Sequence, residues 1–223
     1  MRSASLAHIQ AWLARLYDLP PAEDVARYIC GPELVRDMVG PQQVLRDELL
    51  LVAEDAEGVH VALYLDRAAL AALPAEGVFA LDGDDAFRAS CLATEGVSHF
   101  LYVAFRAHHR VPVTQLELEL QAEVDKYVAG VLGEGTARAI RAREGLSDRS
   151  REVRQRLFDS PRFLDPPHSS AGRRYRLAHR LAASYAQRLE RGFVDRLRLR
   201  ELEAELRRFY RLRTKAKAQR AEG

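Results

Sequence analysis

From Leu81 almost to the C-terminus, apolar residues return every three or four positions, and this helical period constrains the fold more than any other feature of the chain. Just before it the period is different. A compact apolar run lies between Glu48 and Glu54, a turn follows at Ala56–Gly58, and Val59, Val61, Leu63 and Leu65 then alternate on one face. Period two around a short turn predicts an antiparallel hairpin. A lone hairpin is marginal in water, so it must lie on helices. The expected class is therefore α+β and predominantly α-helical. A small antiparallel sheet, with Gly77–Leu81 as a candidate third strand, packs on helices and is followed by a long helical C-terminal half.

Leu6, Ile9, Trp12, Leu13 and Leu16 place a helix over about 5–17, stopped by Pro20–Pro21. Further helices are expected near 22–30, from Pro32 to Gly40, and near 66–73, 84–107, 114–132, 173–190 and 193–216. Three segments result. Residues 1–132 form an acidic α+β core containing the helix hairpin 84–132. Residues 133–172 form a charged, loop-rich connection, and residues 173–223 a basic helical pair whose tail from Lys215 is expected to fray.

The net charge of +2 conceals an asymmetry. Residues 1–126 hold 10 basic and 20 acidic side chains, whereas residues 127–223 hold 24 and 12. The basic residues are 31 Arg and only 3 Lys, a bias that a GC-rich genome produces, so the Arg count by itself is weak evidence for nucleic-acid binding. With 48 % apolar residues the chain can build a core, which excludes disordered and disulfide-scaffold classes. Cys30 and Cys91 are far apart and suit small packed side chains in a reducing compartment. No run of about 18 apolar residues occurs, so no membrane span is expected, and the expected setting is the bacterial cytoplasm. Phosphate-binding glycine loops, a nucleophile elbow and Cys/His ladders are all missing from the sequence.

The helix hairpin carries the one constellation with chemical content. Arg88, Cys91, Glu95, Ser98, His99, Tyr102 and Arg106 fall within a stripe of roughly 100° on its first helix. With the turn near 110–111, residue i faces about 221 − i on the second helix. His99 then lies near Glu123 and Glu95 near Lys126. Glu95, His99 and Glu123 are the candidate ligands of one divalent transition metal, zinc, manganese or iron, because imidazole and carboxylates at helical spacing build such sites. Glu119 is the candidate base and Arg106 the candidate contact to an anionic substrate. The plainer alternative makes the stripe a solvent face, with Glu95 paired to Lys126 and His99 to Glu123. Exposed pairs of that kind contribute about 0–1 kcal/mol and imply no function.

In the basic half, Arg173, Arg174, Arg176 and Arg180, and then Arg207, Arg208 and Arg211, interleave with aromatic residues. Guanidiniums with stacking rings suit phosphates and unpaired bases. The acidic half of the same chain can satisfy the same charge. Three functions stay open: a non-catalytic interaction or regulatory module with a protein partner or a second copy, a metal-dependent hydrolase at the helix hairpin, and nucleic-acid binding through the C-terminal arginines.

Overall fold

Two helices, α4 (Asp84–His108) and α5 (Gln115–Leu132), run antiparallel through the centre of the molecule. The computed structural model describes residues 2–40, 45–56, 58–74, 78–133 and 145–222. Ahead of the central pair come α1 (Arg2–Tyr17), a 3-10 turn (Val25–Tyr28), α2 (Pro32–Val39), β1 (Glu48–Asp55), β2 (Gly58–Leu65) and α3 (Arg67–Ala72). After it come α6 (Leu146–Phe158), α7 (Ser170–Leu189), a π turn (Glu190–Val194), α8 (Leu199–Arg211) and α9 (Thr214–Glu222). The fold is thus predominantly helical α+β, with one two-stranded antiparallel sheet among the described residues.

The expected periodicities account for the core. Leu6, Ile9, Leu13 and Leu16 of α1 are buried against α4 and α8, while Leu120, Val124, Tyr127 and Val128 of α5 are buried beneath α6 and α7. Each fully buried aliphatic side chain contributes about 1.5–3 kcal/mol. Helix α5 starts at a capping box, in which the Thr114 hydroxyl accepts from the Glu117 amide and the Glu117 carboxylate accepts from the Thr114 amide. The β-hairpin lies on α4, and Gly96 makes this approach possible. A Cβ there would sit 3.0 Å from Leu63 Cδ1 and 3.2 Å from Leu65 Cδ2. Because Leu65 pairs with Glu48 across the hairpin, the same approach brings the start of β1 over α4.

Four expectations are corrected. Residues 78–81 are not a strand, and Gly77 lies outside the described residues. Ser90 Oγ accepts from the Ala80 amide at 3.0 Å, and Val78 and Phe79 are buried in the core, so this segment is satisfied by α4 rather than by a ladder. The helix expected at 22–30 is only a 3-10 turn, because the Cys30 amide donates to the Leu63 carbonyl and Ile29 bridges β2. Part of the loop-rich connection is helix α6, whose Leu146, Ser150 and Val153 are buried among arginines that hide the period; residues 134–144 lie outside the described residues. The tail does not fray. Residues 214–222 form α9, with Lys217 and Ala221 buried against α5 and α7.

The basic half is satisfied largely by the chain itself. Arg207 donates to the Leu16 carbonyl at 2.8 Å, and Arg211 to those of Tyr17 and Asp18 at 3.1 Å, which places two cations on the C-terminal carbonyls of α1. Arg156 meets Asp84 at 2.8 Å, and in the opposite sense Arg46 of the acidic half meets Asp165 at 2.7 Å. No helix among the described residues is long and apolar enough to cross a membrane.

Candidate metal centre

Arg88, at the start of the polar stripe on α4, is exposed, but from Ser98 onward the stripe is not a solvent face. Ser98, His99, Tyr102 and Arg106 are all buried, at 6 % exposure or less, because β1 and the C-terminal helices cover them. They belong to two separate networks.

The first surrounds His99. Its Nδ1–H donates to Glu48 Oε1 at 3.2 Å, and its Nε2 lies 4.0 Å from Glu119 Oε2. Nε2 is buried and has no hydrogen-bond partner. Donor atoms of Glu95, His99 and Glu119 lie within 4.8 Å of one another. Ligand atoms about 2.0–2.1 Å from a tetrahedral metal are roughly 3.4 Å apart, so modest side-chain rotation closes the set. Lys126 donates to Glu95 Oε2 and to Glu123 Oε1, both at 2.9 Å. The pairing of Glu95 with Lys126 agrees with the register expected from the turn. Glu123 is drawn to that ammonium and not to the imidazole, and Glu119, one turn earlier, stands where Glu123 was expected.

These groups form the floor of a cleft of about 540 Å³. One wall is β1 with Leu50 and Val52, and the other is α7 with Arg174, Tyr175 and His179. The segment 161–165 closes one end, and Arg46 ties it to the start of β1 through Asp165. Gly172 allows this segment to lie close, since a Cβ there would sit 1.9 Å from the Pro166 carbonyl oxygen.

Burial and charge oppose each other at this floor. Burial alone would lower the His99 imidazole, but the carboxylates of Glu48, Glu119 and Glu95 outweigh it and raise the group to about 9. Burial pushes Glu119 up to about 7, against the pull of His99, with Glu95 and Glu48 adding to the rise. Both folded values lie above the unfolded ones. Each group therefore stabilises the metal-free fold fully below its unfolded value and loses that contribution as pH rises through its folded value. In chelator, denaturant unfolding of the wild type is expected to show a loss of stability from about pH 6.5 to about pH 9 that His99→Gln lacks. Metal competes with the same Nε2 proton, so metal affinity should rise over that interval. A wild type and variant with parallel pH profiles would contradict this.

The second network lies deeper. Asp125 accepts from Ser98 at 2.6 Å, from Gln121 at 2.7 Å and from the Tyr17 hydroxyl. Lys217 of α9 donates to Gln121 Oε1 at 2.7 Å and to the Tyr102 hydroxyl at 3.0 Å, with its ammonium 4.3 Å from the Tyr102 ring centre. Arg106 donates to the Tyr102 hydroxyl and to the Leu212 carbonyl. It is thus an internal strut, two turns from His99, and does not line the cleft.

The C-terminal arginines are dispersed. Arg173 holds the His168 carbonyl, Arg176 lies 4.5 Å over the Phe163 ring, and Arg180 and Arg208 are exposed. Phe209 and Tyr210 are core residues stacked on Tyr185 and Tyr17, so these rings cannot receive bases. Of this set only Arg174 enters the cleft, with Nε 3.9 Å from Glu119 Oε1.

Sequence reasoning missed Glu48, Arg46 and Tyr175 at this site. Glu48 begins a strand, and nothing in the spacing ties a strand terminus to a helix 51 positions later. Compared with models of protein families, with curated proteins and with solved structures, the chain matches none.

Proposed function

We propose that the protein is a divalent-metal-dependent hydrolase centred on Glu95, His99 and Glu119. Of the three functions left open by the sequence, this one has converging side chains behind it. The observation that carries it is the His99 ring. Its Nδ1 is engaged by Glu48, while its Nε2 is buried, unpartnered and directed between two carboxylates at the floor of a cleft. A carboxylate on the far nitrogen fixes the tautomer that a metal requires and raises the basicity of the ligating nitrogen.

One imidazole and two carboxylates suit Zn²⁺, Mn²⁺ or Fe²⁺. Their two negative charges would balance a dication, and three protein ligands would leave coordination positions for water. A metal held by these residues would supply Lewis-acid activation of water, lowering its pKa toward neutrality, to about 7 in the best zinc sites. Glu119, the base expected from the sequence, is then a ligand, and no separate base is needed. Lys126 and Glu48 act one step out, holding Glu95 and His99 in place.

The untagged protein, stripped by chelator and dialysed against Zn²⁺, Mn²⁺ or Fe²⁺, is expected to retain about one equivalent by elemental analysis. Hydrolysis of model esters and phosphoesters should require the loaded form. Protein that retains no transition metal overturns the proposal.

A further inference from the structure

We infer that the substrate of this centre carries an oxyanion, phosphoryl or carboxylate, held between the metal and the guanidinium of Arg174; the inference rests on the metal centre proposed above. Arg174 leaves the second turn of α7 and reaches the cleft floor, where its Nε stands 3.9 Å from Glu119 Oε1. That separation is too long for a hydrogen bond, and the buried Nε has no partner. Its guanidinium lies 5.2 Å from the Tyr175 ring centre. Of the other cations lining the cleft, Lys126 is engaged by Glu95 and Glu123 and Arg46 by Asp165, while Arg162 is exposed at its rim.

The charge balance points the same way. Two carboxylates neutralise a dication, and a Glu119 that turns toward the metal withdraws the anion that lies 3.9 Å from Arg174. An intact positive charge then remains beside a neutral centre with open coordination positions. A guanidinium fork in that position matches a planar or tetrahedral oxyanion with two parallel donors. One oxygen of the substrate meets the metal and another meets the fork. The rest of the molecule lies along the apolar lip, where Val52 and Leu164 are 47 % and 78 % exposed.

Calorimetric titration of the Zn²⁺-loaded full-length protein with inorganic phosphate, and separately with acetate, tests this. Metal content is measured first, so a failed metal centre is seen before any anion is added and removes the inference with it. With metal bound, wild type is expected to bind one of the two probes. Arg174→Gln should keep the metal and the far-ultraviolet circular dichroism and weaken the anion roughly tenfold or more. Arg174→Lys, which keeps charge but loses the fork, should lie between them. Binding of phosphate assigns a phosphoryl substrate, and binding of acetate alone assigns a carboxylate. A loaded wild type that binds neither probe, or an Arg174→Gln protein that binds as wild type does, overturns the inference.

Discussion

His99→Ala is expected to lower the affinity for Zn²⁺ by more than about 100-fold, a larger loss than the 10–100-fold typical of changes outside the ligand set. Glu119→Gln should lose affinity on the same scale, because its Oε2 is the carboxylate oxygen that faces His99 Nε2 at 4.0 Å. Glu123→Gln is the discriminating control. Its carboxylate is bound by Lys126 at 2.9 Å, so it reaches the metal only through Lys126 and Glu95, and its loss should stay below about 100-fold. Competition titration against a chromophoric chelator measures all three. If Glu123→Gln fails as badly as His99→Ala while Glu119→Gln binds normally, the ligand set is the one the helical register alone suggests. Without metal, His99→Ala also leaves Glu48 and Glu119 buried beside one another with no cation between them. The metal-free variant should therefore be less stable than wild type by about 2–4 kcal/mol.

Glu117→Ala should destabilise the fold by about 3 kcal/mol and release the C-terminal helix. Glu117 is fully buried and serves two helices at once. One oxygen accepts from the amide and, at 2.7 Å, the hydroxyl of Thr214 at the start of α9, and the other from the Thr114 amide at the start of α5. Its removal takes a charged acceptor from two part-buried amides, at about 1.5–3 kcal/mol each, and opens the side-chain half of the capping box. Relief from burying a carboxylate offsets part of that sum. In a chain of this size about 3 kcal/mol lowers Tm by about 6–12 °C. Hydrogen exchange over 214–222 should accelerate more than exchange in α4, because Lys217 is held inside only while α9 is docked. Uniform acceleration, or a Tm within a degree or two of wild type, would show that α9 is held by its apolar contacts instead.

Much of the architecture was legible from period and punctuation. Val59, Val61, Leu63 and Leu65 announced a strand, and the Arg110–Val113 break located the helix turn. That turn fixed the antiparallel register closely enough to pair Glu95 with Lys126. The site was legible only in part. His99 and Glu95 stood out as polar groups on an otherwise apolar helix, and Glu119 was marked as a candidate base. The choice between Glu119 and Glu123 was not legible, since both face the same seam one turn apart. It fell to Lys126, three residues after Glu123, which takes that carboxylate and leaves Glu119 to the imidazole. The buried tail was hidden for a similar reason. A segment with two lysines and an arginine reads as solvated until Gln121, Tyr102 and Glu117 are seen to receive it.

The sequence by itself determined the α+β class, the hairpin, the central helix pair and the division into an acidic and a basic half, because these follow from local periodicity and charge. Only the tertiary structure decided that the polar stripe on α4 is interior from Ser98 onward, that Glu48 stands behind His99, and that Arg174 alone among the candidate arginines enters the cleft. It also showed that arginines of the chain are set on α1 carbonyls, Asp84 and Asp165. The physical reason is that burial and ion pairing at such a site depend on elements far apart in sequence. Glu48 and His99 are 51 positions apart, and Arg46 and Asp165 are 119, so no local pattern encodes their meeting.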